Sequence, residues 1–181
     1  MAAFKQIRTE PVFQGRTFSL RRDTLQLPNG NETTLDIVDH VGSVVMVPLD
    51  GDGNLVFVRQ YRHPTGLDLL ELPAGTLDGN EPPEMCASRE MREETGLAAQ
   101  HLESLGAFYL APGYSTEYMH AFLATGLTPD PLPADADEFL RVERLPVREA
   151  MLLAEKGQLP DAKSLAALLL ARDRLHQYLM D

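Results

Sequence analysis

Residues 75–97 read GTLDGNEPPEMCASREMREETGL, and this stretch decides the fold. It fills the spacing G-x5-E-x7-R-E-U-x-E-E-x-G-U without a mismatch, where U is a bulky aliphatic residue. The fixed positions are Gly75, Glu81, Arg89, Glu90, Met91, Glu93, Glu94, Gly96 and Leu97. Because each charged residue or glycine makes up roughly 6% of an average protein, a chance match in one chain is on the order of one in a million.

The centre of this stretch predicts a helix over about residues 82–95. Asn80 can cap its start, and either of the two prolines at 82 and 83 suits the first helical turn. Glu81 and Glu84 complement the positive end of the helix dipole. Gly96 supplies the left-handed residue that commonly follows a helix C-terminus. Apolar packing on other faces can come from Met85, Cys86, Ala87 and Met91.

Three glutamates share one side of this helix and form what we call the glutamate ridge. Glu90 and Glu94 are one turn apart, and Glu93 is three residues from Glu90. Crowded carboxylates repel each other and resist ionising. Mg²⁺ and Mn²⁺ relieve this repulsion because these hard cations favour carboxylate oxygens. The alternative is a solvated acidic face paired with Arg89 and Arg92, but the complete motif favours a metal site.

The spacing is the signature of the Nudix hydrolases, which cleave a diphosphate linked to another moiety, and the chain resembles that family. The resemblance implies an α+β fold, a mixed α/β/α sandwich, here with an N-terminal antiparallel β-sheet extension. An arginine inside an acidic cluster can bind phosphate or orient carboxylates. In the family the arginine that matches Arg89 chiefly orients its neighbours, and we adopt that interpretation.

Composition sets limits on the partners and the cellular location. The 181 residues are 44% hydrophobic, which is enough for one well-formed core. A net charge of -11 and a pI near 4.8 argue against binding to nucleic acid or to an anionic membrane. Cys86 is the single cysteine, which suits a reducing cytosol. We see no signal peptide and expect a cytoplasmic protein.

The order of elements predicts strands, a helix, further strands and then two helices. Residues 5–40 read as short strands, with a hairpin turn at 28–31. We therefore divide the chain into an N-terminal β extension, 1–40, which is a candidate dimerisation region, and a hydrolase domain, 41–181. Further strands are predicted at 44–48, 55–61, 105–110, 118–124 and 139–145. The final helices are predicted at 147–156 and 162–180, the second capped by Asp161.

A looser resemblance runs along nearly the whole chain and indicates the ADP-ribose pyrophosphatase branch. It rests on VRQYR at 58–62, ELPAG at 71–75 and APGYSTE at 111–117, with Pro112 about 15 residues past the motif. It implies hydrolysis of ADP-ribose, or of a related nucleoside diphosphate sugar, to AMP and ribose 5-phosphate. The alternative is a GDP-mannose or other sugar-nucleotide pyrophosphatase. A nucleoside triphosphate sanitiser and a non-catalytic nucleotide-binding module are less favoured.

The same resemblance assigns residues to the site. It implies two or three Mg²⁺ ions, with Mn²⁺ as a substitute, held by Glu90, Glu93, Glu94 and the backbone carbonyl of Ala74. Gly75 lets the chain turn so that this carbonyl faces the ridge, and Gly96 ends the helix. Candidate contacts to phosphate or ribose come from Arg59 and Arg62. Glu71 and Glu117 accept hydrogen bonds from ribose hydroxyls, or else satisfy neighbouring arginines.

Hydrolysis also needs a base for the attacking water. In this branch the base often lies in an acidic loop after the sheet, and the sequence ADADEFLRV at 134–142 occupies that place. Glu138 aligns best with the base, Asp137 is its neighbour, and Glu93 on the helix is the second candidate. The alternative for Glu138 is a solvated loop carboxylate without a catalytic role.

The N-terminal strands are too few to bury an apolar core of their own. Phe18, Leu20 and Leu25 alternate with polar neighbours, as in a half-buried strand. In the ADP-ribose branch this region pairs with a second subunit, so we expect a homodimer in which Arg21 or Arg22 reaches the partner's substrate. The alternative is that the strands extend their own subunit's sheet.

Overall fold

The computed structural model describes residues 4–133 and 139–179. The chain divides into two compact units. The first contains residues 1–42 and 108–118, and the second contains residues 43–107 and 119–181.

The first unit is built on an antiparallel sheet of three strands: β1, Lys5–Gln14; β2, Ser19–Gln26; and β3, Glu32–Asp39, in the order β1-β2-β3. The predicted hairpin turn is present, because the Leu27 amide donates to the Asn31 carbonyl at 2.7 Å. Gly30 has a φ of +87°, a conformation that suits glycine. All ten residues of β1 are exposed. Leu20 and Leu25 are half-buried as expected, whereas Phe18 precedes β2 and is exposed.

The second unit contains two sheets. Its strands are β4, Ser43–Pro48; β5, Asn54–Arg62; β6, Leu67–Glu71; β7, Ala74–Thr76; β8, Leu97–Tyr109; β9, Tyr118–Pro129; and β10, Leu140–Pro146, where β8 and β9 run on into the first unit. One sheet has the order β10-β5-β6 and the other β7-β4-β9-β8. β4 pairs with β9 in parallel and with β7 in antiparallel fashion. All six residues of β4 are buried, as expected for a strand covered on both faces.

Three helices of the described chain cover these sheets: α1, Pro83–Thr95; α2, Val147–Glu155; and α3, Ala162–Leu175, which continues into a 3-10 turn, His176–Tyr178. α1 packs on β4, β5 and β7, α2 on β5 and β10, and α3 on β4. This arrangement confirms the predicted mixed α/β/α fold. None of the described helices is long and apolar enough to cross a membrane.

The ends of α1 and α3 test the capping predictions. Gly96 follows α1 with a φ of +72°, as predicted. Asp161 caps α3 by accepting a hydrogen bond from the Ser164 amide at 3.1 Å, also as predicted. The prediction that Asn80 caps α1 was wrong. The N-cap is Pro82, in extended conformation and without a side-chain bond, because the proline that follows starts the helix two residues later than Asn80 requires.

A buried cluster fixes the inner face of α1. It comprises Val44, Met46, Val56, Cys86, Ala87, Met91, Leu97, Phe122 and Ala124. Met85 was expected to join this packing and does not, since it lies on the outer face of α1 and is 62% exposed. Truncating a fully buried side chain such as Met91 to alanine typically costs about 2–5 kcal/mol. The cluster therefore holds α1 in a fixed orientation, which in turn sets the position of Glu90 and Glu94, since both are buried on the same side of α1.

Candidate active site

The glutamate ridge lies on α1 and is partly withdrawn from solvent. Glu90 is 8% exposed and Glu94 is 6% exposed, while Glu93 is half-buried. A solvated acidic helix face would leave such side chains in water. Carboxylates at this depth need cations or hydrogen-bond donors around them. The structure shows the Ala74 amide and the Arg89 guanidinium in this role, and it shows the Gly75 backbone in close approach to Glu90.

Gly75 makes room for the Glu90 carboxyl group. A Cβ atom at position 75 would lie 1.9 Å from Cδ and 2.1 Å from Oε1 of Glu90. No real Cβ contact is that short, so only glycine allows this approach. Gly75 lies within β7, and its φ is outside the left-handed region. We expected Gly75 to turn the chain. The structure instead shows that glycine is needed here because any side chain would overlap Glu90.

Ala74 brings the backbone of β7 to the other end of the ridge. Its amide donates to Oε2 of Glu94 at 3.0 Å. β7 is itself fixed by antiparallel pairing with β4, in which Val45 lies opposite Ala74. The Ala74 peptide thus lies beside Glu94, which is the neighbourhood that a shared metal site requires.

Arg89 contacts three acidic side chains in and beside the ridge, those of Glu81, Glu90 and Glu93. Its Nη1 donates to Oε1 of Glu90 and to Oε2 of Glu93, both at 2.8 Å. Its Nη2 donates to Oε2 of Glu81 at 3.0 Å and to the Thr76 carbonyl at 3.3 Å. The hydrogen bond to Glu81 is the main cause of a raised Arg89 pKa, and Arg89 in turn lowers the pKa of Glu81. Arg89 therefore holds two ridge carboxylates in fixed positions.

The donor set suits a hard divalent cation. Among the described residues no three acidic, histidine or cysteine side chains form a ready-made metal cage. Mg²⁺ does not require one, because it binds through one or two carboxylates and takes its other ligands from water and substrate phosphates. Glu90 and Glu94 are buried anionic oxygen donors one helical turn apart, and Gly75 leaves room for the Glu90 carboxyl group where a Cβ atom would overlap it. These features fit the metal that the motif implies.

The two candidate substrate arginines lie on the same strand but on opposite faces. Arg59 and Arg62 are three residues apart in β5, whose pairing with β6 and β10 has no bulge. Arg59 donates from Nε and Nη2 to Glu143 on β10, at 2.7 and 3.1 Å. Arg62 donates from the same two atoms to Glu71 on β6, both at 2.8 Å. The structure does not bring the two guanidinium groups together.

Arg62 is the one on the ridge side. The Glu94 carboxylate contributes to the raised pKa of Arg62, after the larger effect of the hydrogen bond to Glu71. The Arg62 side chain is 40% exposed, whereas that of Glu71 is 2% exposed. The bidentate pair with Glu71 uses Nε and Nη2 of Arg62, so the remaining N–H groups of Arg62 are available to a ligand. Arg62 can thus contact the phosphate of a ligand that is also close to Glu94.

Glu71 is a buried anion with two cations beside it. Glu71 accepts two hydrogen bonds from Arg62. Its Oε2 also accepts a hydrogen bond from Nζ of Lys163, the second residue of α3. Burial alone would raise the pKa of Glu71, but the Arg62 hydrogen bond and the Lys163 charge outweigh it and lower that pKa. Of the two roles that the sequence left open, the described contacts match the satisfaction of neighbouring cations.

Two further predicted residues lie elsewhere. Glu117 belongs to the first unit, where its amide donates to Oγ of Ser115 at 3.1 Å. Glu138 and its neighbour Asp137, the candidate bases in the acidic loop, lie outside the described residues. Glu93 remains the candidate base within the described site.

Comparison with known proteins decides the family. Residues 39–168 match the NUDIX domain, which is more than half of the chain. This chain belongs to the Nudix family. It is a Nudix hydrolase that resembles the ADP-ribose pyrophosphatase branch.

Relatives of this Nudix hydrolase have different names. An ADP-ribose pyrophosphatase of Bacillus subtilis is 36% identical over 91% of this chain and 90% of its own length. A methanol dehydrogenase activator of Bacillus methanolicus is 36% identical over 90% of this chain and 89% of its own. A GDP-mannose pyrophosphatase of Yersinia enterocolitica is 30% identical over 91% and 92% of the two chains.

A solved structure confirms the Nudix fold. The crystal structure of an ADP compounds hydrolase superposes with a TM-score of 0.85, at 28% sequence identity, and covers 96% of this chain and 95% of its own. The match extends over nearly the whole length of both chains.

Cys86 has a packing role in this Nudix hydrolase. It is fully buried, and burial raises the pKa of its thiol to about 12. A thiol with so high a pKa carries almost no thiolate at neutral pH, and the thiolate is the nucleophilic form. This agrees with the interpretation of Cys86 as a packing residue.

Sequence reasoning missed three residues that support the site. Glu81 was a motif position expected to complement the helix dipole, and its carboxylate also accepts two hydrogen bonds from Arg89. Glu143 and Lys163 carried no motif, yet they pair with Arg59 and Glu71. Their partners lie 84 and 92 residues away along the chain. No local sequence signal marks a contact over that distance.

Proposed function

We propose that this protein hydrolyses the pyrophosphate bond of ADP-ribose, or of a related nucleoside diphosphate sugar, with divalent metal ions. The proposal rests chiefly on one observation, the intact glutamate ridge seated against Gly75 and held by Arg89. The names of the Bacillus subtilis relative and of the solved ADP compounds hydrolase support the substrate class. ADP-ribose would yield AMP and ribose 5-phosphate.

Each residue has a defined task in this proposal. Glu90, Glu93, Glu94 and the Ala74 carbonyl would hold Mg²⁺, or Mn²⁺ in its place, with two or three ions per site. When bound, the ions neutralise the diphosphate and lower the pKa of a bound water. Arg89 keeps Glu90 and Glu93 in place, and Arg62 binds a phosphate with its remaining N–H groups. The chain thus positions substrate oxygens and separates the repelling carboxylates.

The reaction also needs a proton acceptor. The water oxygen forms a bond to one phosphorus as the bridging P–O bond breaks, and its proton passes to a base. We propose Glu138 as that base and Glu93 as the alternative. Oε2 of Glu93 accepts a hydrogen bond from Nη1 of Arg89, so this oxygen already has a donor beside it. This contact favours the loop residue.

Substrate choice is tested by steady-state kinetics on a panel. The panel contains ADP-ribose, GDP-mannose, another sugar nucleotide and a nucleoside triphosphate, each with Mg²⁺ and with Mn²⁺. We expect the highest kcat/KM for ADP-ribose, with AMP among the products. A preference for GDP-mannose would move the protein to the alternative that the Yersinia relative suggests. A preference for the triphosphate would overturn the proposal.

A regulatory role is a second candidate from a different class, and one relative favours it. The Bacillus methanolicus relative is called an activator of another enzyme. A purely non-catalytic module has no need for a full set of ridge glutamates, and this chain keeps Glu90, Glu93 and Glu94. Absence of turnover on every member of the panel, with nucleotide binding retained, would favour this role.

We also infer a cytoplasmic homodimer that binds neither nucleic acid nor membranes. The net charge of -11 supports the last two points. The exposed apolar side chains of the first unit support the dimer, since Phe4, Ile7 and Phe13 are 65%, 49% and 57% exposed. Light scattering should give a dimer, and deletion of residues 1–38 should abolish activity. An active monomer at assay concentration would contradict this.

A further inference from the structure

Four charged residues and Ser164 form a cluster where α3 meets the end of β6. The charged residues are Arg62 and Glu71, which form the bidentate ion pair described above, together with Lys163 and Asp161. Nζ of Lys163 donates to Glu71 and lies 3.0 Å from Oδ2 of Asp161. The Lys163 side chain is 11% exposed and the Asp161 side chain 14%. Oγ of Ser164 accepts a hydrogen bond from the Leu72 amide at 2.7 Å, which holds the same helix turn against the residue that follows β6.

The cluster has two positive and two negative groups. Arg62 and Lys163 balance Glu71 and Asp161, so the formal sum is zero. Arg62 is the member with substantial exposure, at 40% of its side chain. Without Lys163 the same site would have a net charge of -1, close to the position where a phosphate must approach. At low exposure such a charge is poorly screened by solvent.

We propose that Lys163 is a positioning residue for phosphate binding, which it supports by neutralising Glu71 and Asp161 so that Arg62 can attract the diphosphate. The inference rests on the proposed function, because it takes Arg62 as a phosphate ligand. Lys163 itself has no role in the chemical step. Its effect passes through Glu71, which the Lys163 ammonium and the Arg62 guanidinium share. Loss of the Lys163 charge should therefore weaken substrate binding more than turnover.

The test uses charge balance to separate this role from a purely structural one. Lys163→Met removes the charge and keeps much of the side-chain length. Lys163→Arg keeps the charge. The double variant Asp161→Asn with Lys163→Met restores the balance, since Arg62 and Glu71 then remain as the only charged pair. Asparagine caps helices as well as aspartate does, so α3 keeps its cap in that variant.

Two readouts are measured on the full-length protein: KM and kcat for ADP-ribose, and the Kd of methylenediphosphonate with Mg²⁺ by calorimetry. The P–C–P bridge of this probe cannot be hydrolysed. We expect Lys163→Met to raise KM and Kd about tenfold, equivalent to about 1.4 kcal/mol, with kcat changed less than threefold. Lys163→Arg should stay near the wild type. The double variant should recover most of the lost affinity.

Three results would overturn the inference. One is an unchanged Kd in Lys163→Met, and another is a double variant that binds more weakly than the single one, as expected if the contacts only stabilise the fold. The third is a wild-type protein that does not bind the diphosphonate. If the wild type binds the probe but does not hydrolyse ADP-ribose, the proposed function fails, and the Kd values still decide the role of Lys163.

Discussion

The backbone of Gly75 lies against the carboxyl group of Glu90, so closely that a methyl group at position 75 would overlap it at 1.9 Å from Cδ. The role of this contact is spatial: β7 and α1 approach each other where the proposed metal site would need both backbone and carboxylate oxygens. A glycine of ordinary strand conformation is needed here because of its neighbour and not because of its own φ.

Substitution of Gly75 by alanine should inactivate the protein while leaving it folded. The added methyl group must displace Glu90 from its place between Arg89 and β7. A misplacement of about 1 Å in a catalytic group can cost roughly 100-fold in rate, so we expect kcat to fall by about that factor. Thermal unfolding should show a native transition. Gly51→Ala is the matched control, because a Cβ at position 51 meets nothing within 4 Å. Equal activity of the two variants would contradict the role assigned to Gly75.

Glu94→Gln should lower kcat by two or more orders of magnitude. The substitution removes a negative charge from the proposed metal clamp, and such electrostatic contributions are commonly worth several kcal/mol in the transition state. Glu84→Gln is the control, since Glu84 is exposed on the same helix and lies six or more residues before the ridge glutamates. Activity is measured at saturating Mg²⁺. Near-normal turnover of the purified Glu94 variant would refute the metal assignment.

The identity of the base is tested by a pair of variants. Glu138→Gln should keep metal binding and greatly reduce kcat, because the loop residue accepts the proton of the water. Glu93→Gln should instead weaken metal binding, because Glu93 belongs to the ridge. Metal affinity is followed by calorimetry alongside the kinetics. If only the Glu93 variant keeps metal affinity and loses turnover, the base lies on α1.

The sequence predicted α1 and the ridge well because a helix and its i, i+4 pairs are local features. β6 and β7 were missed, as was the first half of β8, where Leu97, Ala98 and Ala99 follow the helix directly. Alanine has low β propensity, and such a segment becomes a strand through its sheet neighbours. Lys163 is the clearest example of a contact that the sequence did not predict, since its partner Glu71 is 92 residues away. Interactions of that range depend on the folded topology and leave no periodic signal.

The two candidate substrate arginines can be ranked by substituting each with lysine. Lysine keeps the charge but loses the planar fork. Arg62 lies on the side of Glu94, so Arg62→Lys should raise KM for ADP-ribose by about 10-fold or more, as expected for one charged hydrogen bond. Arg59 is on the other face of β5 and is paired with Glu143, so Arg59→Lys should have a smaller effect. An equal or larger rise in KM for Arg59→Lys would reverse the assignment.

Glu71 should govern part of the acid sensitivity of the fold. Its pKa in the folded protein is lowered, since Arg62 and Lys163 outweigh the effect of burial. Its unfolded pKa is about 4.3, so its ionic contribution is complete above that value and is lost as the pH falls from there through the folded pKa. At pH 7, Glu71→Gln leaves Arg62 without its carboxylate partner and Lys163 with Asp161 alone. Breaking a buried pair in this way typically costs about 3–5 kcal/mol of unfolding free energy, and we expect the lower end because Arg62 is partly exposed.

At pH 3.5 that cost should be smaller, because the wild type has by then lost part of the same contribution. Urea unfolding of both proteins at pH 7 and pH 3.5 measures the difference, with Glu84→Gln as the exposed control. The sign follows from the direction of the Glu71 pKa: a lowered folded value ties stability to the higher pH. A destabilisation that is the same at both pH values would mean that Glu71 contributes through packing and hydrogen bonds alone, and not through its charge.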